Sequence, residues 1–161
     1  MQSLNLSFAP LASHPDWIGT LATWFAAEWP DYYGPQGQGH ALRDLQAYAQ
    51  AHTLPFGLVA LRNGAPCGFA AIKSERFATH PHLHPWVGAA VVPRDLRRRG
   101  IGAQLFAALE PHALRLGFAQ LYSATRTAHT LLLRCGWQQI DTALHQGEPI
   151  GIYQRTLKPA P

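Results

Sequence analysis

The stretch Pro85 to Leu105, PWVGAAVVPRDLRRRGIGAQL, constrains the fold more than any other part of the chain. From Trp86 to Val92 the residues are nearly all apolar or small, which suits a strand buried on both faces of a sheet. Pro93 ends that strand by removing a ladder donor. Arg97-Arg98-Arg99-Gly100-Ile101-Gly102 follows, and Leu105, Phe106 and Leu109 then resume apolar spacing at helical period. A glycine-rich turn therefore feeds a helix N-terminus, where unpaired backbone N–H groups and a partial positive charge suit a phosphate. Glycines at 100 and 102 let the backbone approach such an anion without Cβ atoms in the way.

The same residues support a second reading, a basic loop or nucleic-acid patch built from Arg94, Arg97, Arg98 and Arg99. A net charge of +4 is modest and favours a small anionic ligand over a polymer. The order of the segment also resembles a known signature. Val91 and Pro93 stand six and four residues before Arg97, and Arg-x-x-Gly-x-Gly leads into a helix. This is similar to the acetyl-CoA signature of the GNAT superfamily of N-acetyltransferases.

At 161 residues, 47% hydrophobic and 14% charged, the chain fits a single globular domain over 1–161, with 158–161 as a frayed tail. No stretch combines the features of a secretory signal and no apolar run approaches a membrane span, so a cytoplasmic protein is expected. Cys67 and Cys135 belong to no metal-spaced set and read as reduced thiols. His80, His82 and His84 alternate with Pro81, Leu83 and Pro85 with no carboxylate or cysteine in ligand spacing, so no metal is expected.

Leu4, Leu6 and Phe8 alternate as in a half-buried first strand closed by Pro10. Ser13 and Asp16 resemble a cap for a helix whose apolar face is Trp17, Ile18, Leu21, Trp24 and Phe25 and which ends near Glu28. Trp29 to Gly39 is a proline-, glycine- and aromatic-rich loop, and His40 to Ala51 a second helix. Phe56 to Leu61 and Cys67 to Ile72 form a hairpin around Asn63-Gly64, beside the Trp86 strand. The helix after Gly102 should kink or break at Pro111 and end at Gly117. Phe118 to Ala124 is the next strand, and a final hairpin runs from Trp137 to about His145 and from Ile150 to Leu157 around Gln146–Pro149.

The segment TRTAHTLLLRCGWQQI resembles a second GNAT motif, a short helix ending in an aliphatic residue, Gly and an aromatic, with Cys135 in the aliphatic slot before Gly136-Trp137. The resemblance implies an α/β (α+β) fold with a mixed, mostly antiparallel central sheet of about 6–7 strands flanked by about 4 helices. It implies acetyl-CoA as co-substrate, with backbone groups of Ala90, Val91 and Val92 along the pantetheine arm. The pyrophosphate falls to the turn Arg97, Arg98, Arg99, Gly100, Ile101, Gly102 and Ala103, and Thr125 adds a further cofactor contact. Glu28, Trp29, Tyr32 and Tyr33 are implied to shape the amine pocket, their alternative being to cover the core edge.

Acetyl transfer to an amine requires a held thioester, a neutral amine and stabilisation of the charge that develops. Candidate bases are Glu28, Glu75, His82 and His84, each alternatively a solvated surface residue. The family's usual thiolate-protonating tyrosine lies five residues before the closing aromatic, and Leu132 occupies that place. Three explanations compete: the thiol leaves unaided near neutral pH, another residue substitutes, or the protein binds acetyl-CoA without efficient turnover. His129, one helical turn earlier, is the substitute on spacing.

The expected function is acetyl transfer from acetyl-CoA to a primary amine by direct attack in a ternary complex. A CoA-binding sensor or regulatory module is the alternative. The acceptor, a small molecule or a peptide amine, stays open, with an aromatic loop holding few acids leaning against polyamines. No nucleic-acid or membrane partner is expected, and monomer and homodimer are both compatible. Because main-chain amides carry the anion, Arg97→Ala should weaken acetyl-CoA binding less than Gly100→Val, and equal losses in a calorimetric titration would overturn this.

Overall fold

The computed structural model describes residues 5–158. Seven strands form one sheet in the order β1-β2-β3-β4-β5-β7-β6. They are β1 (Leu6–Pro10), β2 (Phe56–Arg62), β3 (Ala65–Lys73), β4 (Trp86–Val91), β5 (Gln120–Thr125), β6 (Gln138–His145) and β7 (Glu148–Thr156). Only β4 and β5 run parallel, and every other neighbouring pair is antiparallel. The helices described are α1 (Ile18–Glu28), α2 (Pro30–Tyr33), α3 (Ala41–Tyr48), α4 (Ile101–Arg115) and α5 (His129–Arg134). The mixed, mostly antiparallel sheet matches the fold expected from the sequence, with one more helix among the described residues: α2 is a single turn inside the aromatic loop.

Strand alternation divides the core between the two faces. Leu58, Ala60, Ala70 and Ile72 meet Leu105 and Leu109 of α4, whereas Val59, Phe69 and Ala71 meet Leu21 and Phe25 of α1 and Leu45 and Tyr48 of α3. A Cβ added at Gly68 would stand 2.8 Å from Leu105 Cδ1 and 3.0 Å from Ile101 Cγ2, so this glycine lets the first turn of α4 seat directly on β3.

Several boundaries differ from the sequence expectation for identifiable reasons. Ser13 and Asp16 cap nothing: 3-10 turns at Leu11–Ser13 and Pro15–Trp17 lead into α1, which has no side-chain cap. α3 stops at Tyr48 rather than Ala51, because Ala49 leaves helical backbone and the Gln50 side-chain amide takes the Ala47 carbonyl at 3.0 Å. α4 runs unbroken through Pro111. Pro111 and Ala107 both face solvent, so the carbonyl freed by the proline is open to water while the buried face of Leu109 and Ala113 holds the helix to the sheet. Both hairpins close on two residues of positive φ, Asn63-Gly64 and Gln146-Gly147, so the second turn is shorter than expected. Leu4 and the end of the tail lie outside the described residues.

α5 ends in a Schellman cap: Trp137 N–H donates to Leu132 O at 3.0 Å and Gly136 N–H to Leu133 O at 3.1 Å, with Gly136 at φ +85°. Leu132 and Trp137 are buried together in the α4-side core.

Two predictions follow from the packing. Gly68→Val should destabilise the fold by about 1–3 kcal/mol through overpacking under α4, read as a fall in Tm. Burial, and then the neighbouring Arg115 guanidinium, holds His112 below the usual histidine range, and burial does the same to His84. An unfolded chain therefore binds more protons than the folded one as pH falls below about 6.5. Tm should decline between pH 7.5 and 5.5, and His112→Leu should flatten that decline.

Candidate active site

The site starts where a ladder stops. β4 and β5 share a single registered pair, Trp86 with Tyr122, and beyond it the two strands separate. At the vertex Ser123 Oγ donates to Val87 O at 3.0 Å, closing the last carbonyl before the gap. On the other side of β4, Phe69 pairs with Val91 and Ala71 with Gly88, so Ala89 and Ala90 stand opposite Ala70 alone. Ala89 has φ +51°, the left-handed backbone of a bulged residue. The bulge turns backbone groups of β4 away from regular pairing at the widening gap.

Three adjoining cavities form a trench through this gap. The central one, about 370 Å³, lies between Gly88–Val92 and Ser123–Thr125, floored by Leu105 and Phe106 and closed by Leu131 and Leu132 of α5. One end meets, at Val92, Gly102 and Leu131, a cavity of about 500 Å³ over the turn Arg97–Ala103, with Arg134 opposite. The other end meets, at Trp29, Ala89 and Ala124, a cavity of about 680 Å³ walled by Tyr32, Tyr33, Asp44, Tyr48, Lys73, Glu75 and His145.

The turn supplies main-chain donors. The first intrahelical bond of α4 is Gln104 N–H to Gly100 O at 3.1 Å, so the amides of Gly100 to Ala103 have no helical acceptor. Gly100, at φ +83°, and Arg98, at φ +65°, shape this nest of N–H groups. An added Cβ at Gly100 meets nothing within 4 Å, so backbone conformation, not space, is what demands glycine there. The Arg97 side chain is engaged elsewhere: Nε donates to Val92 O at 2.8 Å and the guanidinium pairs with Glu28. It ties the end of α1 to the end of β4.

Of the residues singled out from sequence for the cofactor, Ala90, Val91, Val92, Gly102 and Thr125 line the central cavity. Arg97, Arg98, Gly100, Ile101 and Ala103 line the turn cavity, while Arg99 is exposed beside it. Thr125 Oγ1 accepts from Thr127 and Ala128 N–H at 3.2 and 3.0 Å, which fixes the passage from β5 into α5. Glu28 and Trp29 reach the central cavity, and Trp29, Tyr32 and Tyr33 the outer one.

The catalytic candidates separate. Glu75 lines the outer cavity and pairs with Lys73 Nζ at 3.0 Å. His84 lines none of these cavities; it packs edge-on against Phe118, beside the opposite end of β4, and its Nδ1 is buried without a partner among the described residues. His82 is exposed beside His80. His129 lies outside the trench as well, its Nδ1 bonded to Tyr153 Oη at 2.6 Å, while Leu131 and Leu132 are the α5 side chains that line the central cavity.

Sequence reading missed Ser123, Asp44 and Tyr48. The last two are one turn apart on α3 and share a face, a spacing visible in the sequence once the helix is known to border the aromatic loop. Tyr33 Oη donates to Asp44 Oδ2 at 2.6 Å. Burial first, and then this hydrogen bond, push the Tyr33 phenol far above its ordinary pKa; burial and then the Glu75 charge do the same to Tyr48. Both stay protonated donors. Among the described residues no three His, Cys, Asp or Glu side chains are grouped to hold a metal, and no helix is long and apolar enough to cross a membrane.

The fold is shared with known proteins. Structures with the same fold include an aminoglycoside 6'-N-acetyltransferase complexed with coenzyme A, with TM-score 0.77, 12% identity and coverage of 96% of this chain and 99% of that one. The aminoglycoside 6'-N-acetyltransferase from Enterococcus faecium superposes with TM-score 0.75 at 13% identity over 96% and 99% of the two chains. A ribosomal-protein-alanine N-acetyltransferase from Brucella melitensis does so with TM-score 0.70 at 17% identity over 96% and 100%. No curated protein matches in sequence. The sequence profile of the acetyltransferase (GNAT) family matches residues 20–137, and with the strand gap and turn in place, the chain belongs to that family.

Proposed function

We propose that the protein transfers the acetyl group of acetyl-CoA to a primary amine by direct attack within a ternary complex. The observation that carries this reading is the continuity of the trench: an amide-lined turn, a narrow gap between separated strands and an aromatic, carboxylate-bearing cavity meet end to end. The turn suits the pyrophosphate, the unpaired edge of β4 at Ala89–Val92 suits the amide-bearing pantetheine arm, and acetyl-CoA supplies the activated acyl group.

Direct attack fits the side chains present. Ser123, the buried hydroxyl in the gap, is committed to Val87 O, and burial raises the pKa of both Cys67 and Cys135, neither of which lines the trench. In the reaction the amine nitrogen bonds to the acetyl carbon, the carbon–sulfur bond breaks and CoA leaves as thiolate. Glu75, in the cavity where the amine enters, receives the proton through water, with Lys73 holding its carboxylate in place. Leu132 donates no proton, and a thiolate needs no dedicated acid to leave near neutral pH. That same leucine favours the second reading, a CoA-binding regulatory module. Cytoplasmic residence, for an enzyme drawing on acetyl-CoA, is part of the proposal.

The deciding measurement is calorimetric titration with acetyl-CoA alongside thiol release across a panel of amines. Binding with amine-dependent release is expected; binding with none favours the regulatory module, and no binding removes both. Glu75→Gln should lower kcat by about 10²-fold with acetyl-CoA affinity retained; an unchanged kcat would exclude Glu75 as base.

A further inference from the structure

We infer that the acceptor carries a second ammonium group, held in the outer cavity by Asp44, Tyr48 and the aromatic walls while the reacting amine lies at the neck beside Ala89 and Ala124. The inference rests on the reading of this cavity as the acceptor's entrance and goes on to its chemistry.

Charge bookkeeping within the cavity points to a cation. Lys73 and Glu75 neutralise one another at 3.0 Å. Asp44 is half-buried, lines the cavity and has no cationic partner among the described residues; its one bonded neighbour is the neutral Tyr33 phenol at 2.6 Å. Of the two carboxylates in a wall that also carries His145, Asp44 is thus the one without an ion-pair partner among the described residues, in a chain whose net charge is +4. A carboxylate removed from water in this way gains most from a charged donor.

A second observation is independent of the carboxylate. Tyr48 is 5% exposed, lines the same cavity, and its hydroxyl has no hydrogen-bond partner among the described residues. With its pKa raised it presents a neutral phenol, able to accept from an ammonium as well as donate. Tyr32 and Tyr33 meet edge to face at 4.6 Å and Trp29 lies 6.1 Å from Tyr33, so ring faces and edges surround the carboxylate. Aromatic faces attract ammonium groups and reject anions. Glu75 serves the reacting amine and Asp44, on a different element, the second cation, which separates the two charges of one acceptor.

Linear polyamines and amino sugars share this chemistry, which reverses the leaning against polyamines drawn from the aromatic loop, because Asp44 enters the cavity wall from α3 and not from that loop. The test is calorimetric binding of spermidine, a 2-deoxystreptamine aminoglycoside and butylamine to the full chain, paired with thiol release from acetyl-CoA. At least one polycation should bind tenfold or more tightly than butylamine. Asp44→Asn, which keeps an acceptor for Tyr33, should reduce that preference about tenfold and Tyr48→Phe about threefold, with Tm near wild type. Tighter binding of spermidine identifies an aliphatic polyamine, and of the aminoglycoside an amino sugar. Butylamine binding as tightly as both, or a preference that survives Asp44→Asn, overturns the inference. Thiol release with every amine alike defeats this inference and leaves acetyl transfer standing, whereas Asp44-dependent polycation binding without release defeats acetyl transfer alone.

Discussion

The parting of β4 from β5 is the constraint on which the rest of the structure depends. Two parallel strands that paired along their whole length would close the sheet and leave no cleft. Here one registered pair and the Ser123 hydroxyl hold the vertex, and the bulge at Ala89 and Ala90 bends β4 away. The exposed backbone groups created by this separation are costly in a sheet interior unless something pairs with them. In the proposed reading a ligand with alternating amide groups does so, which makes the defect in the ladder and the binding site one feature.

Other elements brace the opening. Gly68 lets α4 lie close on β3, setting the height of the turn above the gap. Arg97 joins Val92 and Glu28, fixing the mouth of the cleft to the first helix. On the far wall, the Schellman cap of α5 packs Leu132 against Trp137, so one of the two α5 leucines that line the cleft is committed to the core as well. Replacing a hydroxyl by a methyl-rich side chain here gains burial and gives up a proton donor.

The strand, proline, arginine run and paired glycines of residues 85–105 were legible because each acts locally: a lost donor, a left-handed residue, unpaired amides. The hairpin turns were legible for the same reason, at Asn63-Gly64 above all. Pro111 misled because its effect depends on which way the helix faces, and solvent exposure of Ala107 is set by packing. The site was half readable. The positions proposed for the cofactor follow the chain in sequence, whereas Asp44 and Tyr48 share a cavity with Glu75 only through tertiary folding. His84 and His129 lie close in sequence to the gap strands, yet both side chains lie outside the trench, against Phe118 and Tyr153 respectively.

The amide-lined turn at residues 98–103, the proposed anion seat, is shaped by dihedral angles and not by side-chain chemistry. Its donors belong to every residue type except proline, and the bulkiest cations beside it either face solvent or, like Arg97, serve as a brace. A site of this kind tolerates wide drift in residue identity while its shape persists. Alanine scanning would pass over it almost silently, registering Gly100 and little else, so its presence is better read from backbone geometry than from which side chains a screen finds indispensable.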